Sequence, residues 1–251
     1  MPVAVVAPVG HDAAAQVHEL VAGRDIVADG IDVLDKPTYR WNARQVEGHN
    51  LDLGGADSIY DGWEPRVPED YAGWAFVGSM RLDRQLAAAQ RLTEARLLAG
   101  DSMRSYVLTA PAGAQRLLSA CDWFFCNQDE FAALAGNTED PAAFVREHDL
   151  RGLCMKRGAG GAAITWRSGG IELPALPAPA DADTTGAGDS LAGGFLARWL
   201  SGGGREEDAE LRHALATGIA CATVTIGSVG LRGIAKADRA RVEELTRQVL
   251  A

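Results

Sequence analysis

Apolar residues in this chain fall into short unbroken runs that alternate with stretches of helical spacing. VAVVA at residues 3–7 is continuous, which predicts a strand covered on both faces, and residues 13–22 carry the spacing of a short helix. Residues 31–53 differ in texture. Their short alternating runs, IDVLD, TYRWNARQ and HNLDL, are broken by Lys36-Pro37 and Gly48, and they predict a small antiparallel sheet outside the main one. Gly54-Gly55 and residues 63–68 read as loop, and residues 74–77 return to a buried strand.

From there strand and helix patterns alternate. The spacing predicts helices over 82–92, 112–120, 128–135 and 141–148, with strands over 95–99, 123–126 and 153–156 between them. Residues 162–166 and 170–173 form a hairpin around Ser168-Gly169, and three longer helices follow over 191–200, 206–225 and 238–250. Ala216, Gly218 and Ala220 predict a close helix contact. This order specifies an α/β fold, a doubly wound and mostly parallel sheet flanked by helices, with a small antiparallel β lid. Asp101 to Arg104 fall at the carboxyl end of a strand, where open α/β sheets bind ligands, so Asp101 is a candidate phosphate-side or substrate-side group.

At 251 residues and 47% hydrophobic content, residues 1–251 are read as one domain with a substantial core. A net charge of −10 leaves no basic stripe for a nucleic-acid partner. No apolar run reaches the length of a membrane span, and Met1-Pro2-Val3 lacks the basic start of a signal peptide, so a cytoplasmic location is expected. The four cysteines form no CxxC pair and read as reduced core residues, not a zinc site.

The stretch with the clearest chemistry is DTTGAGDS at 183–190, which leads into the helix carrying Leu191, Phe195, Leu196, Trp199 and Leu200. Thr184 or Thr185 is the expected N-cap, which places Gly186, Ala187 and Gly188 at the helix mouth. Unpaired amides, small residues and the helix dipole make that mouth an anion site. Asp189 then reads either as a first-turn acid complementing the dipole or as a group that takes a proton from an attacking hydroxyl.

DTTGAGD resembles in full the second signature of the ribokinase-like (PfkB) carbohydrate kinases. The resemblance implies that Asp189 is the catalytic base, that Gly186, Ala187 and Gly188 form the anion hole, and that Thr185 lies beside the nucleotide. Asn127-Gln128-Asp129-Glu130 follows a strand and reads alone as a capping box; in the resembled family NxxE organises Mg²⁺ and the nucleotide phosphates, largely through water. Gly158, Gly160 and Ala163 nearly fit a dinucleotide fingerprint, but a strand follows where a helix is required. The resemblance instead places Gly158 to Gly161 beside the phosphates. Lys156, one of three lysines, is then either a phosphate partner or a solvated strand-end residue. Near Asp183 and residues 226–230 some family members hold a monovalent cation such as K⁺.

The resemblance makes residues 31–53 the lid over the sugar and, in some relatives, a dimer clasp. Arg40 and Arg44 share a face with Asn42 and could reach an acceptor, although polar residues on the wet face of a flap are the commoner explanation. Family members also carry an earlier strand and a GG…N motif; here VAVVA matches their second strand, and Gly54-Gly55 lacks the following Asn. An ATP- and Mg²⁺-dependent kinase for a hydroxyl of a small sugar-like acceptor is the expectation. A nucleoside kinase of the same fold and a nucleotide-binding pseudoenzyme are the alternatives.

Overall fold

The computed structural model describes residues 2–46, 49–68, 70–179, 182–230 and 232–251. Its main body is a six-stranded sheet in the order β10-β9-β8-β7-β6-β5. These strands are β5 (Trp74–Val77), β6 (Leu97–Asp101), β7 (Trp123–Asn127), β8 (Gly152–Lys156), β9 (Ala162–Trp166) and β10 (Gly169–Leu173). β5 to β8 are parallel, and β8, β9 and β10 pair antiparallel. Helices α2 (Leu82–Arg91), α3 (Arg104–Thr109), α4 (Pro111–Ala120), α5 (Gln128–Ala135) and α6 (Pro141–Glu147) connect the parallel strands. After the hairpin come α7 (Ala187–Ser201), α8 (Asp208–Ile226), α9 (Arg232–Lys236) and α10 (Arg239–Leu250).

The run WFFC explains how the sheet sits in its layers. Trp123 and Phe125 join one core cluster with Phe195 and Trp199 of α7 and Leu215 of α8, while Phe124 and Cys126 join another with Leu117, Leu118 and Phe144. Successive strand residues point to opposite faces, so only a sheet covered on both sides buries four apolar residues in a row. Trp123 packs 4.8 Å from the Trp199 ring and 5.3 Å from Phe195. α8 lies directly against α7: a side chain on Gly218 would meet the Leu191 carbonyl at 2.6 Å.

The amino-terminal region departs from expectation. β1 (Val3–Gly10) leads into α1 (His11–Val21) and pairs in parallel with β2 (Ile26–Leu34) as a separate two-stranded sheet. Val3 and Val27 are about half exposed, so β1 is not covered on both faces; a cluster of Ile59, Tyr60 and Trp63 packs against it through Val6. Residues 31–34 belong to β2, and the antiparallel sheet is β3 (Arg40–Val46) with β4 (His49–Ala56). Gly54-Gly55 is strand, not loop. Trp41 pairs with Gly55 and Ala43 with Asp52, so Gly54, at φ 89°, sits in a bulge. β5 is an edge strand with Phe76 partly exposed.

Candidate active site

The site is built where the carboxyl ends of β6, β7 and β8 meet the start of α7. Gly186, in the left-handed region at φ 76°, is the N-cap, not Thr184 or Thr185. Asp183 turns the loop before it by accepting the Thr185 amide at 3.0 Å, and contacts with Thr185, then Gly230, hold its carboxyl below the usual range. The Ala187 amide donates to the Thr184 carbonyl at 3.2 Å. Among the described residues the amides of Gly188 and Asp189 have no partner, which leaves two donors at the positive end of a 15-residue helix. The Asp189 side chain is exposed beside them.

Behind this mouth lies an ion pair. Lys156 Nζ donates to both oxygens of Asp101, at 2.7 and 2.8 Å. Asp101 is 1% exposed and the Lys156 side chain 15%, so Lys156 is not a solvated strand-end residue and Asp101 presents no surface to a substrate. A Cβ on Gly188 would lie 3.2 Å from Lys156 Nζ, so the ammonium packs directly under the helix mouth. Burial pushes the Asp101 carboxyl up to about 6 despite Lys156, and the charges of Asp189 and Glu130 add to the rise. Burial would lower Lys156, but Asp101, then Glu130 and Asp189, keep it above the usual lysine value.

Asn127 and Glu130 form a complete capping box: Asn127 Oδ1 accepts the Glu130 amide at 2.9 Å and Glu130 Oε2 accepts the Asn127 amide at 2.8 Å. The same Oε2 accepts the Ser102 hydroxyl at 3.0 Å. Ser102 and Gln85 are site residues that sequence reasoning missed. Gln85, fully buried on α2, donates to the carbonyls of Gly78 and Asp101 at 2.8 and 2.9 Å, tying the ends of β5 and β6 together. An isolated polar residue on the apolar face of α2 was the available signal.

The glycine turn divides in two. Gly161, at φ 87°, is required by packing, because a Cβ there would lie 2.1 Å from the Leu173 carbonyl. Gly158, at φ 54°, has nothing within 4 Å of its missing side chain and borders open space. On the lid, Arg40 is engaged by Asp12 at 2.6 Å, and Arg44 is exposed. The structure thus gathers Asp101, Lys156, Gly188 and Asp189, with Glu130 behind them, and leaves Arg40 on a separate cluster. That cluster fastens the lid to α1: Asp12 also accepts the Thr38 amide and hydroxyl, at 2.9 and 2.6 Å.

Comparison with known proteins gives the family. Residues 69–237 match the model of the pfkB family carbohydrate kinases. An ATP-dependent ribose-1-phosphate kinase from Halopiger xanaduensis is 36% identical over 122 residues, 48% of this chain and 38% of that protein. The 2-dehydro-3-deoxygluconokinase of Escherichia coli K12 is 33% identical over 108 residues, 41% of this chain and 35% of its own length. The alignments therefore span little more than a third of these relatives. In fold, a nucleoside kinase from Methanocaldococcus jannaschii superposes with a TM-score of 0.76 at 19% identity, covering 98% of this chain and 80% of that one. The match spans both the helix mouth and the ion pair beneath it, and the chain belongs to the pfkB family of carbohydrate kinases.

Proposed function

We propose that residues 1–251 work as one ATP-dependent kinase domain that phosphorylates a hydroxyl of a small sugar-like acceptor. The observation that carries this reading is the pairing, on the first turn of α7, of two unpartnered amides with an exposed carboxylate at Asp189. Donors fixed in advance stabilise the charge on a phosphoryl group in transfer, and an adjacent carboxylate accepts the hydroxyl proton. Lys156 adds a positive charge behind the same mouth. The open space beside Gly158 suits the nucleotide phosphates, and the names of the two aligned relatives support a sugar acceptor.

Magnesium belongs to this reading as the counter-ion of the nucleotide. Glu130 does not fit a direct ligand: it is 4% exposed and its Oε2 already accepts two hydrogen bonds. Among the described residues no group of three or more His, Cys, Asp or Glu side chains is arranged to hold a metal ion. A monovalent cation near Asp183 and residues 226–230 is part of the proposal, and Gly230 is close enough to the Asp183 carboxyl to help hold it ionised. The proposal also includes a cytoplasmic location and β3–β4 as lid and dimer clasp. Among the described residues no helix is long and apolar enough to cross a membrane, and Leu53 of β4 is exposed.

The test is a coupled ADP-release screen over pentoses, hexoses, sugar phosphates, sugar acids and nucleosides. Asp189→Asn is expected to lower turnover on the accepted compound by at least about 10²-fold while nucleotide binding persists. Unchanged turnover in that variant refutes the assignment. Acceptance of nucleosides alone favours the nucleoside-kinase reading.

A further inference from the structure

Three carboxylates act on one ammonium at this site. Asp101, Glu130 and Asp189 all bear on Lys156, yet among the described residues only Asp101 touches it. Asp101 is itself held on three sides. The Ser102 amide donates to its Oδ1 at 2.8 Å, Gln85 fixes its carbonyl, and the Ser102 hydroxyl links the strand end to Glu130 and so to the Asn127 cap. This is a buried, connected network, and at its far end the ammonium meets Gly188 and not the neighbouring acid.

The arrangement solves a conflict in the chemistry. A cation under the helix mouth favours a phosphoryl group there, but a mobile lysine beside Asp189 would pair with it. A contact ion pair with the ammonium would make the carboxylate a poorer proton acceptor. Resting on the phosphotransfer reading above, we propose that Asp101 is a positioning residue: it holds the Lys156 ammonium beside Gly188, facing the phosphoryl group, and keeps it from pairing with Asp189. The titratable groups around Lys156 and Asp189 are Asp101 on β6, Glu130 on α5, and the buried thiols of Cys126 on β7 and Cys154 on β8, which burial keeps neutral.

The test compares Asp101→Asn, Lys156→Met and the double variant with wild type. Turnover is followed by ADP release, nucleotide affinity by calorimetry, and kcat/KM across pH. In Asp101→Asn the released ammonium is expected to pair with Asp189. Turnover then falls on the order of 10²-fold, as for a misplaced catalytic group, and the acid limb of the pH profile moves to lower pH. ATP affinity is expected to stay within about threefold, so the loss appears in kcat. In Lys156→Met and in the double variant kcat stays low and the limb does not move to lower pH, because no ammonium remains to pair with Asp189.

Wild-type kcat in Asp101→Asn, or a fall in kcat without movement of the limb, overturns the proposal. Where Asp101→Asn does not fold, Lys156→Met decides alone: low kcat with a limb not moved to lower pH supports the proposal, and wild-type kcat or a limb moved to lower pH overturns it. Asp189→Asn is run alongside. Full turnover in that variant, or none in wild type on any acceptor, removes the phosphotransfer reading and the proposal with it; loss there with Asp101→Asn unaffected removes the proposal only.

Discussion

Replacing Gly161 by alanine tests whether the glycine turn is a packing device or a phosphate cradle. The position is at φ 87° and ψ −136°, a region that glycine adopts and other residues rarely do, where an L-residue costs about 1–3 kcal/mol. The new Cβ would lie 2.1 Å from the Leu173 carbonyl oxygen and 2.7 Å from both the Pro174 carbonyl carbon and the Ala175 nitrogen, all backbone atoms that move only with the strand end. Overpacking of that kind costs about 1–3 kcal/mol, and the reduced entropy of the unfolded alanine chain returns about 0.4–1 kcal/mol. The net loss is about 1–6 kcal/mol, which for a chain of this size is a fall in Tm of at least about 2 °C and up to about 24 °C. Thermal unfolding followed by circular dichroism measures it. Gly158→Ala is the control, since it meets open space at φ 54° and carries the backbone cost alone, about 1 kcal/mol. It is expected to raise KM for ATP while lowering Tm by only about 2–4 °C. A Gly161→Ala protein that melts with wild type, or a Gly158→Ala protein that melts lower than Gly161→Ala, refutes the reasoning.

Further outcomes follow from the core and the buried charges. Trp123→Ala empties a fully buried site against Phe195 and Trp199 and is expected to lose about 3–5 kcal/mol in urea unfolding. Trp123→Phe loses far less, about 1 kcal/mol, because the indole nitrogen it removes has no hydrogen-bond partner; equal losses would count against this account. Asp101, raised from 3.8 to about 6, binds a proton more tightly in the folded than in the unfolded state. Its stabilising contribution is therefore full below about pH 4 and lost, on the order of 3 kcal/mol, as pH rises through about 6. Asp101→Asn should flatten that part of the stability profile, and an unaltered slope would contradict the assignment. Burial pushes Cys121 and Cys154 up to about 12 and raises Cys126 and Cys221 as well. The native protein should show no fast-reacting thiol at neutral pH and the denatured one all four, so rapid native labelling would refute the placement.

The sequence was most legible where one local pattern had one structural solution. WFFC between Asp122 and Asn127 admits little besides a strand covered on both faces, and β9 falls at the residues its apolar run predicted. The start of α7 was legible in place but not in detail. Two threonines compete for the cap with a glycine whose left-handed backbone leaves no mark in the hydropathy pattern. α3 and α9, at six and five residues, are too short to show a period, and β2 begins inside IVADG, where Asp29 and Gly30 interrupt the apolar run. The Asp101–Lys156 pair was invisible for a different reason. Its partners are 55 residues apart, and only the adjacency of β6, β7 and β8 brings them together.

The contact of Gly218 with the Leu191 carbonyl has a consequence for how such a protein can be altered. With main chain seated on main chain, any side chain at position 218 would push α7 and α8 apart and displace the helix whose start builds the site. The β3–β4 flap, by contrast, is fastened through exposed groups at Asp12, Thr38 and Arg40. On the proposed reading, in which β3–β4 covers the acceptor, a change of acceptor is sought at exposed flap positions such as Arg44 and Leu53, while Tyr39, which packs on Tyr60, and Lys36, which holds the Ser58 and Asp61 carbonyls, are kept.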